Sequence, residues 1–156
     1  MNNSSNSSGG WNGCNMRNNT LPVVKAALPS DLRAVLKTTT LYTDNTGGGR
    51  DVASYVTSTQ DELYLLAEFE IFGAHTRANT AEQNYQKQYA YYVAGNSKIK
   101  YKHDSTATAA MWWERSVFAT YPGIFCRVEA NSTADATNAY FSFGLAPAFK
   151  VGGGNN

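Results

Sequence analysis

Cysteine and histidine are almost absent. Two of each stand in 156 residues: Cys14 and Cys126, His75 and His103. No CxxC or HxxxH pattern occurs, and a zinc site needs about four closely spaced nitrogen or sulfur ligands, so a zinc centre is not expected. A cysteine nucleophile needs a histidine base and an orienting group. Cys126 instead lies in the apolar run Gly123–Val128. Its plain reading is a small buried hydrophobe. A disulfide to Cys14, reasonable only outside a cell, and catalysis are the alternatives. Proline is scarce, with four residues, and neither sign of charge is in excess: thirteen Lys and Arg face twelve Asp and Glu, for a net charge of +1. That balance excludes a disordered polyelectrolyte and gives no support to a nucleic-acid partner, which calls for a basic excess. No apolar run approaches about 18 residues, so no transmembrane helix and no membrane insertion are expected. The opening MNNSSNSSGG has no basic stretch and no apolar stretch, so it does not read as a signal peptide.

What is abundant is aromatic and small polar. Ten Tyr, seven Phe and three Trp stand among fifteen Asn and fifteen Thr. Such a chain suits a fold rich in strands and loops. Its length predicts one domain able to bury a core. Residues 1–10 and 152–156 carry almost no apolar area and are expected to be flexible tails around a domain at 11–151.

Local patterning predicts helices early and strands late, the α+β class. Asn15–Leu28 has loose helical spacing split by Pro22. Leu32, Val35 and Leu36 form a second stripe after the cap at Ser30-Asp31. Lys37–Thr43 reads as a strand, Asp44–Asp51 as a Gly-rich turn, and Tyr55–Thr59 as a short strand. Thr59 and Glu62 form a T-x-x-E capping box before Leu63–Leu66, where helix and strand compete. Ala67–Phe72 reads as a short helix ended by Gly73. Thr80–Ala94 reads as the clearest helix, with a capping box at Thr80 and Gln83, with Tyr85, Tyr89, Tyr92 and Val93 on one face, the tyrosines read as core, and with Gly95 at its end. Further strands are predicted at Ile99–Tyr101, Met111–Ser116, Phe125–Glu129, Phe141–Phe143 and Leu145–Val151. In Phe125–Glu129, Cys126 and Val128 take one face and Phe125, Arg127 and Glu129 the other.

Three stretches carry a resemblance: Leu28-Pro29-Ser30-Asp31-Leu32; Gln83–Tyr92 with Gly95-Asn96-Ser97-Lys98; and Trp112-Trp113-Glu114-Arg115-Ser116, Phe125-Cys126-Arg127-Val128 and Phe143-Gly144-Leu145-Ala146-Pro147-Ala148-Phe149. Over roughly 11–151 the chain resembles a domain common in gut bacteria and their phages. That domain is similar to the C-type-lectin-like fold, in the branch related to formylglycine-generating enzyme. The resemblance implies a small antiparallel sheet carrying irregular C-terminal loops, with helices packed on its other side. It implies Arg115 as a framework residue buried against a carboxylate. Members of this fold serve as variable proteins of diversity-generating retroelements, in which an error-prone reverse transcriptase rewrites adenines in a C-terminal coding repeat. Residues written by such AAY codons exclude Glu, Lys, Gln, Met and Trp. Those types make up 23 of the 156 residues, and only Glu129 of them falls in Arg115–Phe149, where a proportional share is roughly five. A loop rich in Thr, Ala and Asn gives the same depletion for structural reasons.

Under this reading Trp112, Cys126, Val128, Leu145, Pro147 and Phe149 are core. The display surface comprises Val117, Phe118, Ala119, Thr120, Tyr121, Arg127, Glu129, Asn131, Tyr140, Phe141 and Phe143. Aromatics among small polar residues give contact area at low entropy cost, as in antibody paratopes. Each aromatic has a competing reading as core. The expected function is a binding protein rather than an enzyme, at a phage tail tip or bacterial surface, needing no cofactor, with a cell-surface protein or glycan as partner and a homo-oligomer left open. A formylglycine-generating-type oxidase is disfavoured by the separation of Cys14 and Cys126. A calcium-dependent lectin is disfavoured because neither Glu-Pro-Asn nor Gln-Pro-Asp occurs. Metal-free sugar stacking is the remaining alternative.

Overall fold

A computed structural model describes residues 1–152. Alternation of Thr39, Leu41 and Thr43 toward the interior builds the first hairpin. Strand β2 (Thr39–Asp44) pairs antiparallel with β3 (Val56–Asp61) in unbroken register from Thr39↔Asp61 to Asp44↔Val56. Before it come three short helices, α1 (Gly10–Gly13), α2 (Leu21–Ala27) and α3 (Ser30–Val35), and a π-helical turn at Met16–Thr20. The short β1 (Leu36–Lys37) pairs with β9 (Lys150–Val151). Helix α4 (Glu68–Phe72) ends at Gly73 with φ +68°, as its glycine predicts. Helix α5 (Ala90–Val93) precedes the hairpin β4 (Lys100–Lys102) and β5 (Ser105–Ala110). The central sheet is β6 (Trp112–Val117), β7 (Ile124–Val128) and β8 (Ala134–Asn138), all antiparallel, with a register shift between Trp113 and Val117. The fold is therefore α+β.

All six residues of β6 are buried, so the strand is covered on both faces. Its alternation deals the neighbouring tryptophans into two cores. Trp113 joins Trp11, Leu41, Leu65 and Phe125, while Trp112 joins Ile71, Tyr92 and Val128.

Five expectations are corrected. Thr80–Ala94 is not one helix: a 3-10 turn at Thr80–Asn84 is followed by an irregular stretch before α5. Distant partners hold the chain off a helical path. Tyr89 N, which a helix would bond to Tyr85 O, donates to Glu70 O, and the side chains tether the stretch on both sides, Gln86 Nε2 donating to Tyr42 O and Gln88 Nε2 to Ile71 O. Tyr85 therefore stands 57 % exposed, Tyr89 and Val93 are exposed too, and Tyr92 alone of the four is core. Thr59–Glu62 caps no helix, because β3 runs through Asp61. Residues 141–149 form no strand beyond single bridges at Gly144 and Ala148. Pro147 has no N–H for a ladder, and it and Phe149 are exposed rather than core. Neither β5 nor β8 was expected: Asn131–Ala139 has the composition of a small polar loop, yet Ala134–Asn138 pairs along β7.

The fifth correction concerns residues 1–10, which are packed, not a loose tail. Asn2 N donates to Ala139 O, and Met1 and Ser7 are buried. Ser7 Oγ donates to Gly47 O at 3.0 Å and accepts from Gly123 N at 2.6 Å. Gly47 has φ +62°, and a Cβ there would lie 1.7 Å from Ser7 O. Of the expected C-terminal tail, Gly152 bonds Val35 O; 153–156 lie outside the described residues.

Candidate functional site

The framework under the C-terminal surface is polar. Arg115 is fully buried and clamps Glu70 through two bonds, Nη1 to Oε2 at 2.6 Å and Nη2 to Oε1 at 2.7 Å. Nη1 also reaches Leu65 O and Nε reaches Thr43 Oγ1. Burial lowers the guanidinium pKa, but the facing Glu70 carboxylate outweighs it and raises it. The resemblance implied a buried Arg115 against a carboxylate, and the structure gives Glu70 as that partner.

Above it, ring and guanidinium contacts form a continuous ribbon. Tyr121 packs on Phe118 with ring centres 5.6 Å apart, and the Arg77 guanidinium lies 5.8 Å from the Phe118 ring. Asp135 joins two arginines, with one oxygen 3.6 Å from Arg77 Nη2 and the other 3.0 Å from Arg127 Nη2. The cross-strand pair Arg127↔Asp135 places the second contact. Arg127 is also paired with Glu129 and covers Phe143 at 4.9 Å. Phe143 stacks on Phe141 at 6.0 Å, and Phe141 packs at a tilt on Tyr140 at 4.6 Å. Phe143 is anchored inward on the buried Trp113 ring, 4.9 Å away. Tyr121, Tyr140 and Phe141 are 61 %, 49 % and 42 % exposed. Burial pushes the Asp135 carboxyl up, but hydrogen bonds led by Arg127 outweigh it and hold the group below its ordinary value.

The ribbon thus gathers seven of the eleven predicted residues: Phe118, Tyr121, Arg127, Glu129, Tyr140, Phe141 and Phe143. Two predicted residues are corrected. Val117 and Ala119 are 1 % and 3 % exposed. Val117 ends β6 facing the main core, and Ala119 is tied to Arg77 O next to the Ala78–Phe118 bridge. Thr120 is exposed beside Tyr121. Asn131 is exposed but caps its own turn, accepting from Thr133 N and Oγ1. Sequence reasoning missed Arg77 and Asp135. The period-2 pairing of β7 with β8 could have found Asp135; Arg77, far away in the chain, had no signal.

Beside the ribbon a groove of about 970 Å³ runs between the β4–β5 hairpin and Ser142–Pro147, with Phe143 in its wall. Lys100, Lys102 and His103 line it, against one acid, Asp104.

Both cysteines are free and buried. Burial pushes the Cys14 thiol up to about 11. Burial, followed by the carboxyls of Glu114, Glu68 and Glu82, pushes Cys126 well above its usual value. Among the described residues no three His, Cys, Asp or Glu side chains are grouped to hold a metal ion. No described helix is long and apolar enough to cross a membrane.

No curated protein and no solved structure matches the chain. A family match spans residues 1–153, nearly the whole length over which the ribbon and its framework are built. The chain belongs to the DUF6273 family, described as a domain of unknown function.

Proposed function

We propose that this domain is a non-catalytic binding protein of C-type-lectin-like fold, displayed at a phage tail tip or bacterial surface, and that the aromatic–guanidinium ribbon is its ligand-contacting face. The observation that carries this reading is the ribbon itself. Its rings are exposed at both ends, held stiff by stacking, and pinned on Trp113 and the Arg77–Asp135–Arg127 bridge. Rigid exposed rings bind at low entropy cost, and an anchor of this kind contributes about 2 kcal/mol or more. Supporting the fold reading is a small antiparallel sheet that carries the C-terminal loops, with helices packed alongside. Oxidase chemistry at the cysteines is disfavoured because both thiols are buried and their pKa values are raised, whereas thiolates are the reactive and metal-binding form.

Diversification of the surface fits the layout of Arg115–Phe149. Buried framework residues such as Phe125 and Val128 alternate there with exposed Tyr121, Asn131 and Tyr140. The immobilised domain is presented with intact gut-bacterial cells and with a glycan array. Retention on one of them should fall about tenfold or more in Tyr121→Ala and in Tyr140→Ala/Phe141→Ala, while Tyr101→Ala in the hairpin serves as control. Retention unchanged in both ribbon variants overturns the reading. A near-copy of the segment coding for 112–149, differing only at adenines and next to a reverse transcriptase gene, establishes diversification.

A further inference from the structure

The groove beside the ribbon has walls of two kinds. One is the β4–β5 hairpin. Lys98, Lys100 and Lys102 stand at alternate positions leading into and along β4. Lys100 and Lys102 line the groove against a single acid, Asp104. Among the described residues none of the three lysines is in an ion pair, whereas Arg17, Lys25, Arg77, Arg115 and Arg127 each face a carboxylate. Lys100 is half-buried, and its ammonium lies over the Trp112 ring, 5.8 Å from the centre. Trp112 is itself fixed by a bond from Nε1 to Lys98 O at 3.0 Å. A cation held on a ring is placed in advance. A half-buried charge with no counter-charge has given up water without compensation. This wall is set to take an anion.

The other wall, Phe143–Pro147, is apolar in its side chains and unpaired in its backbone. Gly144 lets it close on the groove floor, since a Cβ there would lie 3.0 Å from Met111 O and 3.4 Å from Trp112 Cβ. Leu145 and Ala146 are half-buried, yet their N–H and C=O groups have no backbone partner among the described residues. Main-chain groups drawn away from water are nearly always paired. The hairpin shows the same lack. Lys102 pairs with Ser105 and Tyr101 with Ala109, so Thr106, Ala107 and Thr108 have no residue opposite them in β4. Tyr101, Thr108 and Ser142 are the only hydroxyls of the lining, a sparse set for the many hydroxyls of a sugar. Unpaired main chain beside cations suits a peptide instead.

We propose that the groove binds an extended acidic peptide segment of a protein partner, which runs along Leu145 and Ala146, bonds their free main-chain groups and sets its carboxylates on Lys100 and Lys102. In an added strand successive side chains take opposite faces, so every second one enters the groove. A carboxylate at those positions meets the lysines, and its methylene stem lies against Phe143 and Leu145. Main-chain bonds supply affinity and the entering side chains supply specificity, as in other cases of strand addition. The acid preference follows from charge: the two lysines outnumber Asp104, and like-charged peptide is repelled. The proposal rests on the reading of this domain as a binding protein, but not on the ribbon being its contact face. The two surfaces share only Phe143.

The test is fluorescence anisotropy of a dye-labelled peptide of about eight residues that alternates Glu and Thr, within the usual length of a strand. It should bind saturably, and a peptide alternating Gln and Thr should bind about tenfold or more weakly. The variant Lys100→Gln/Lys102→Gln, with folding checked by circular dichroism, should lose the same factor. If it does not fold, the two peptides and the NMR measurement decide alone. Raising salt from about 50 to about 500 mM should narrow the gap between the peptides. On addition of the Glu–Thr peptide the backbone amide signals of Leu145 and Ala146 should shift in nitrogen-15 NMR. Tyr121→Ala should bind this peptide as the parent does, so that the groove and the ribbon succeed or fail separately. Equal binding of the two peptides, or shifts that spare Leu145 and Ala146, overturns the proposal. So does tighter binding of an oligogalacturonate or of oligothymidylate than of the peptide, and so does self-association that the lysine variant abolishes.

Discussion

Replacing Arg115 by Met keeps the volume and removes the guanidinium. Four hydrogen bonds go with it: two to Glu70 and one each to Leu65 O and Thr43 Oγ1. Glu70 is then left with Ala67 N as its remaining donor, in a site nearly closed to water. Breaking a buried pair in this way costs about 3–5 kcal/mol, a large part of the roughly 5–15 kcal/mol that holds a domain of this size together. Glu70→Leu added to Arg115→Met removes the stranded carboxylate, because an apolar pair of similar volume is close to neutral. What remains unmade are the partners of Leu65 O, Thr43 Oγ1 and Ala67 N, at about 1 kcal/mol each. The double variant should therefore be more stable than the single one and fall about 3 kcal/mol short of the parent. Urea unfolding at pH 7, followed by the fluorescence of buried Trp11, Trp112 and Trp113, reads both numbers. An Arg115→Met loss under about 1 kcal/mol, or a double variant weaker than the single one, refutes the claim that the pair is a mutually dependent unit.

Asp135 has a depressed folded pKa, so its contribution is present above the unfolded value of 3.8 and is lost as pH falls through the folded one; the urea midpoint should drop at acid pH, and Asp135→Asn should lack that part of the drop. Ser7→Ala leaves Gly123 N unpartnered and should cost about 1–3 kcal/mol, whereas Ser7 in a loose tail would make the change silent in the same unfolding assay. Gly47→Ala should cost more, since its Cβ meets Ser7 O at 1.7 Å and φ is +62°. A thiol reagent at pH 8 should label Cys14 and Cys126 at the rate of unfolding, and fast labelling of either in the folded protein would contradict their burial.

Some of the molecule was legible because its cause is local. The β-branched run in Thr39–Thr43, the apolar run in Phe125–Val128, the glycine stop at Gly73 and the paired rings Trp112-Trp113 each act within a few residues, and each element formed. The aromatic and small-polar segment after Trp113 marked the ribbon's region, because an exposed ring needs only a neighbour to stack on. The rest was decided by contacts between residues far apart in the chain. Thr80–Ala94 has the period of a helix, but Gln86 and Tyr89 bond to Tyr42 and Glu70, and those bonds outweigh a local preference worth a few tenths of a kcal/mol per residue. Residues 1–10 have the composition of a linker, yet their small polar groups satisfy Ala139 O, Gly47 O and Gly123 N. The burial of Val117 and Ala119 and the Arg77–Asp135 bridge belong to the same class. Local propensity selects among short elements, and only the packed tertiary structure decides which polar groups meet and which aromatic rings stay in water.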